Sequence, residues 1–154
     1  MKESFEEAVQ ELKRVDHIFY VSLKYTRTAD MMKHMIERLI STFQFGVEAM
    51  LRKALEEKRI SSIPDNQGLK AKLALELFPE DEARNFIQFY IRLRRIIRAP
   101  YTKREEFRRH VTMTASLDNG EVIEVNIDLL KEYYDTAKAF LHLVRIMIYG
   151  EDTL

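Results

Sequence analysis

A stripe of apolar side chains at three- and four-residue steps runs through residues 29–59 and constrains the fold more than any other feature. Its members are Met31, Met35, Leu39, Phe43, Val47, Met50, Ala54 and Leu55. Steps of this size place the side chains on one face of an α-helix. At about 1.5 Å per residue, such a helix would span roughly 45 Å. The stripe therefore predicts one long helix as the main element of a mainly α fold.

Similar periodicity predicts further helices on both sides of this segment. Their ranges are 3–24, 69–78, 80–98 and a last one from Asn126 or Asp128 to about Tyr149. The run Ile18–Val21 has strand propensity, but we favour helix because no turn residues flank it. Thr26 or Thr28 is expected to cap the long helix. Ala99-Pro100 is expected to end the helix 80–98, because the residue before a proline avoids the helical region.

The composition indicates a globular chain of long regular elements, most simply one domain over residues 1–154. Four glycines, three prolines and 46% apolar residues leave few places for irregular chain. The absence of cysteine excludes disulfides and thiolate chemistry and suits the cytoplasm. The N-terminus is too charged for a signal peptide, and no apolar run is long enough to cross a membrane. We therefore expect a cytoplasmic protein that has no membrane partner.

The pattern changes from helical to alternating after Arg109. Apolar and polar residues alternate over 111–116, Asn119-Gly120 follows, and a second apolar-rich run covers 122–125. Asn-Gly between such runs is the strongest short signal for a β-hairpin. The sequence thus predicts one hairpin over about 109–126. This hairpin must pack against the helices or against a partner, because two strands alone are only marginally stable.

Positive charge is concentrated in residues 92–110, although the whole chain has a formal net charge of zero. The cations are Arg92, Arg94, Arg95, Arg98, Lys103, Arg104, Arg108 and Arg109. Only Glu105 and Glu106 oppose them, which indicates a local surface for binding anions. The alternative is ordinary ion pairing with acidic residues of the N-terminal segment. Those residues are Glu3, Glu6, Glu7, Glu11 and Asp16.

Arg104 and His110 form an R-x5-H spacing and are the candidate catalytic pair. Histidine acts as an acid or base near neutral pH, and arginine can hold a phosphate and neutralise charge that grows on it. RNA cleavage through the 2′-hydroxyl needs both an acid–base group and a cation that binds the phosphate, and it needs no metal. The candidate phosphate-binding residues are Arg94, Arg95, Arg98, Lys103, Arg108 and Arg109. The alternative is a solvated basic loop whose histidine only begins a strand.

Other chemical motifs are absent from the sequence. His17, His34 and His142 stand without neighbours at metal-ligand spacing, so neither a metal site nor another cofactor is predicted. No Walker loop, GxGxxG, HExxH or GxSxG pattern occurs. This argues against the commonest nucleotide-binding, zinc-protease and serine-hydrolase classes.

The R-x5-H spacing and the helical layout resemble the HEPN domains of prokaryotes. These are bundles of four or five helices with an R-x(4–6)-H motif between the last two long helices, matched here by Arg104 and His110. The corresponding helices are 16–27, 29–59, 80–98 and 127–149, with the hairpin as an insertion. Two features depart from the family pattern. Glu105 follows the arginine where asparagine is common, and a hairpin follows the motif where a helix is usual.

The resemblance implies a homodimer whose motifs meet at the interface. It also implies an RNA-binding protein with metal-independent endoribonuclease activity, of toxin–antitoxin or RNA-processing type. The alternative is a non-enzymatic dimeric protein whose arginines dock an acidic partner, such as an antitoxin or a nucleotidyltransferase-like subunit. A further alternative is a protein that binds a nucleotide or another phosphate ligand in a cleft between helices.

Overall fold

The computed structural model describes residues 1–150 as a helical bundle with one small sheet. The helices are α1 (Lys2–His17), α2 (Leu23–Tyr25), α3 (Ala29–Glu56), α4 (Gln67–Leu77), α5 (Asp81–Arg98) and α6 (Ile127–Tyr149). The strands are β1 (Tyr101–Arg104), β2 (Thr112–Ser116) and β3 (Val122–Val125). The prediction of a mainly α fold with a hairpin before the last helix is confirmed. None of the helices among the described residues has the length and apolar character that a membrane crossing requires.

The N-terminal helices α1 and α2 form one continuous helical segment. A π-helical turn, Ile18–Ser22, joins them. The helix expected over this strand-prone run is therefore confirmed, with a wider turn than an α-helix has. Ile18 and Leu23 are buried on either side of that turn, so packing against the bundle overrides the local strand propensity.

The long helix α3 is the centre of the bundle and contacts α1, α4, α5 and α6. The Phe43 ring stacks on Phe140 of α6 and Tyr90 of α5, with centroid distances of 4.5 Å and 6.0 Å. All three rings are fully buried. A Cβ atom at Gly46 would overlap the Phe140 ring, so glycine is required where α3 and α6 approach closely. Six of the eight residues of the predicted apolar stripe are buried in the core, and Met31 and Leu55 are partly buried.

The helix ends follow local signals in the sequence. Thr28 caps α3 by accepting a hydrogen bond from the Met31 N–H, and Asn126 caps α6 through the Leu129 N–H. The helix α3 ends slightly before the predicted residue 59. Lys58 adopts a left-handed φ of 61° there, and Arg59 N–H donates back to the Ala54 carbonyl. A left-handed residue followed by a hydrogen bond back to the last turn is a common way for an α-helix to end.

The sheet has three antiparallel strands in the order β1-β2-β3, one more than the predicted hairpin. The predicted turn at Asn119-Gly120 joins β2 and β3, and Gly120 has a φ of 89°. The additional strand β1 lies in the basic segment, and its last three residues are exposed. An exposed, charged edge strand lacks the apolar alternation that identifies a strand in sequence. The buried face of the sheet packs on the bundle through residues such as Met113 and Val125.

Candidate functional site

Pairing of β1 with β2 brings Arg104 and His110 to one end of the sheet. Arg104 is the last residue of β1 and pairs with Thr112, the first residue of β2. His110 lies two residues before Thr112, so the R-x5-H spacing falls within the seven-residue loop 105–111 that joins these strands. Arg104 and His110 line the same cleft. The structure therefore brings the predicted catalytic pair together.

The cleft has a volume of about 650 Å³ and lies at the N-terminus of α6. Arg27 and Arg109 also line it, so three arginines face two carboxylates, Glu105 and Asp128, and the lining has a formal charge of +1. The first residues of the 23-residue helix α6 form part of the wall. The Asn126 side chain takes the Leu129 N–H, so the helix dipole and the N–H groups of Ile127 and Asp128 are what favours an anion at this terminus. The arrangement suits a phosphate group.

The loop that carries His110 is fastened to the start of α3. The Phe107 N–H donates to the Arg27 carbonyl at 2.7 Å. The Ala29 N–H donates to Glu106 Oε2 at 2.9 Å, and Lys103 Nζ lies 3.5 Å from Glu106 Oε1. Glu106 therefore supplements Thr28 as a cap of α3. These contacts hold the loop beside Arg27.

Two residues of this loop have left-handed backbones that side chains other than glycine rarely adopt. Glu105 has a φ of 54° and Phe107 a φ of 65°. Each conformation costs roughly 1–2 kcal/mol for a residue with a Cβ atom. Strain of this kind persists where the surrounding contacts impose it, and it clusters at functional sites. In this loop, the hydrogen bonds to Arg27 and Ala29 impose the left-handed conformations.

The cationic groups of the cleft are open to exchange with a ligand. Arg104 Nη2 donates to Glu124 Oε1 at 3.0 Å, but both side chains are more than half exposed, and such surface pairs contribute little. The side chains of Arg109 and His110 have no partner among the described residues. Within residues 1–150, Arg27 Nε is buried and has no hydrogen-bond acceptor. A buried donor without an acceptor is costly, and a bound anion would offset that cost.

Two arginines of α5, Arg92 and Arg95, are paired with carboxylates of the hairpin and not with those of the N-terminal segment, which was the alternative for the basic cluster. Arg92 forms two hydrogen bonds with Glu121, and Arg95 Nη2 lies 2.8 Å from Asp118 Oδ1. These guanidinium groups hold the pKa values of Glu121 and Asp118 below their ordinary range. The turn between β2 and β3 thus places Asp118 and Glu121 beside α5. The N-terminal Glu11 instead pairs with Arg14 and Arg38.

The predicted phosphate-binding residues are divided over different parts of the surface. Arg109 lines the cleft with Arg104 and His110, and Arg108 is exposed on the same loop. Arg95 and Arg98 line a separate groove of about 410 Å³. The Arg94 guanidinium lies 5.8 Å from the centre of the Tyr90 ring and close to Gly68 of α4. Lys103 pairs with Glu106.

Sequence reasoning missed Arg27 and Glu106. Both belong to the contact between the start of α3 and the loop after β1, two segments far apart in the chain. No local pattern marks such a contact. The one available signal was the position of Arg27 directly before Thr28, which the sequence already offered as a helix cap.

Comparison with protein-family models gives no match for this chain, and searches of curated proteins and of solved structures give no significant match. The resemblance to HEPN domains therefore rests on the R-x5-H spacing and the helical layout.

Proposed function

We propose that the cleft binds a phosphate of an RNA strand and that His110 and Arg104 cleave the strand without a metal. The observation that carries this proposal is that Arg104, His110, Arg27 and Arg109 line one cleft at the N-terminus of α6. An acid–base group and phosphate-binding cations are the two components that cleavage through the 2′-hydroxyl requires.

In the proposed reaction, the His110 imidazole removes the proton of the 2′-hydroxyl. The 2′-oxygen then forms a bond to phosphorus, and the bond from phosphorus to the 5′-oxygen breaks. Arg104 and Arg27 neutralise the negative charge that grows on the non-bridging oxygens. The leaving 5′-oxygen takes a proton from solvent, and the imidazolium returns its proton to solvent. The products are a 2′,3′-cyclic phosphate and a 5′-hydroxyl.

Partner docking through the α5 arginines has less support. Arg92 and Arg95 are already paired with Glu121 and Asp118 of the hairpin. An acidic partner would have to displace these carboxylates to reach them. Three expectations stay predictions from the sequence. They are the homodimer, the antitoxin or nucleotidyltransferase-like partner, and the cytoplasmic location.

The test is cleavage of a mixed single-stranded RNA pool in EDTA by the wild type, His110→Ala and the matched control His142→Ala. His142 is exposed on α6 and does not line the cleft. We expect the wild type and His142→Ala to leave 2′,3′-cyclic ends. His110→Ala should lose about 100-fold or more of the rate while still binding RNA.

Equal cleavage by His110→Ala and the wild type would remove His110 from the mechanism. If the wild type and both variants bind RNA but none of them cleaves it, the cleft is a binding site and not a catalytic site. Absence of both binding and cleavage would contradict the proposed function.

A further inference from the structure

Two aromatic side chains stand out on the surface of the described residues. Tyr25 is 79% exposed and Phe107 is 74% exposed, the highest values among the large apolar residues of this part of the chain. Other aromatic rings, such as Phe43 and Phe140, pack against one another in the core. Packing in the core therefore does not explain why the aromatic residues Tyr25 and Phe107 are found at these positions.

Both aromatic residues lie on backbone segments that border the cleft. The Phe107 N–H donates to the Arg27 carbonyl, and Tyr25 lies two residues before Arg27. Phe107 also lies midway between Glu105 and Arg109, which line the cleft. Hydrogen bonding between the two segments thus places the backbones of Tyr25 and Phe107 close to each other and to the cationic site.

Cationic residues lie next to both rings, whereas Glu106, which precedes Phe107, is already engaged by the Ala29 N–H and Lys103. Arg108 and Arg109 directly follow Phe107, and Lys24 and Arg27 flank Tyr25. Exposed aromatic rings among cations are the combination that binds single-stranded nucleic acid, because bases stack on the rings while phosphates bind the cations. Phe107 is held in this position on a left-handed backbone with a φ of 65°. An uncharged apolar partner would leave the cations without a counterpart.

We propose that Tyr25 and Phe107 stack on unpaired bases of a strand whose phosphate lies in the cleft. This inference rests on the proposed function and deepens it, since it specifies single strands as the ligand. In a duplex, the bases are paired and stacked inside the helix, so their faces are not available to aromatic side chains. The protein therefore prefers an unpaired strand to a duplex of the same length.

The experiment measures binding by fluorescence anisotropy with a labelled 2′-O-methyl oligouridylate, which lacks the 2′-hydroxyl and is not cleaved. An abasic oligomer with the same number of phosphates and a 2′-O-methyl duplex are measured beside it. The variants are Tyr25→Ala, Phe107→Ala and Phe107→Gly. The matched control is Leu69→Ala, an apolar residue of α4 that is 55% exposed.

We expect each aromatic variant to weaken binding of the oligouridylate about fivefold or more. Binding of the abasic oligomer and the salt dependence should stay unchanged, because the phosphate contacts are intact. Leu69→Ala should bind like the wild type. Phe107→Gly removes the ring and also relieves the left-handed backbone, so misfolding cannot account for its loss of binding.

Equal binding of the oligouridylate by the wild type and all aromatic variants would overturn this inference, as would equal wild-type affinity for the abasic oligomer. Self-association that the aromatic variants abolish, without an effect on nucleic acid, would assign the rings to an interface between copies and also overturn it. Failure of the wild type to bind either oligomer would instead contradict the proposed function.

Discussion

Glu106 is predicted to stabilise the protein and to position the loop of His110. Replacing it with alanine leaves the Ala29 N–H without its acceptor, which lies at 2.9 Å. Ala29 is fully buried, so water cannot easily take the place of the carboxylate. Loss of a hydrogen bond to a charged acceptor costs about 1.5–3 kcal/mol. The exposed contact with Lys103 adds little.

We therefore expect Glu106→Ala to lower the free energy of unfolding by about 2 kcal/mol. Glu106→Gln keeps an oxygen acceptor and loses only the charge at the N-terminus of α3, so its loss should be about 0.5–1 kcal/mol. Glu105→Ala is the matched control. Glu105 is the neighbouring exposed carboxylate, and its substitution should change stability by less than about 0.5 kcal/mol.

The assay is urea denaturation followed by circular dichroism, with the free energy of unfolding taken from the linear extrapolation. Glu106→Ala should shift the urea midpoint by about 1 M without changing the slope. Its RNA cleavage should fall as well, since the loop loses one of its two attachments to α3. A midpoint equal to that of the wild type, or an equal shift for Glu105→Ala, would refute this account of the loop.

Three further predictions concern the bundle and the hairpin. Gly46→Ala should destabilise by about 1–3 kcal/mol in urea denaturation, because the added methyl group overlaps the Phe140 ring; unchanged stability would contradict the close approach of α3 and α6. Lys58→Gly should stabilise by up to about 1 kcal/mol, because the backbone is left-handed at this position; a lower melting temperature would contradict it. Arginines lower the pKa values of Asp118 and Glu121 from ordinary values of 3.8 and 4.5. The stability they contribute is therefore present above about pH 4.5 and lost as the pH falls through the lowered values. Between pH 6 and pH 3, the melting temperature of Asp118→Asn should fall by less than that of the wild type. An equal fall in both proteins would contradict this contribution of Asp118.

The elements that the sequence predicts well are those whose signal is local. The apolar stripe of α3 and the Asn119-Gly120 turn lie where they were predicted, and Thr28 and Asn126 are each one of the two caps that were expected. Each depends on a few neighbouring residues. Helix periodicity, side-chain capping and turn preference are physical effects of that range.

The features that escaped prediction depend on contacts between distant segments. The strand β1 exists because β2 offers it a partner, and its own residues carry no strand pattern. Arg27 joins the cleft because Glu106 and Phe107 fasten the motif loop to α3. The pairing of α5 arginines with the hairpin likewise depends on where the hairpin lies, which sequence spacing does not specify.

If the cleft binds phosphates of a nucleic acid strand, the affinity for the strand depends on salt through the cations that line the cleft. The affinity for the 2′-O-methyl oligouridylate is measured between 50 and 200 mM salt for the wild type, Arg109→Gln and Arg84→Gln. Arg109 lines the cleft, whereas Arg84 is exposed on α5 away from it. Removing one phosphate contact on a single strand should reduce the slope of log K against log salt by about 0.7. We expect this reduction for Arg109→Gln and the wild-type slope for Arg84→Gln. Equal slopes for all three proteins would show that Arg109 does not contact a phosphate.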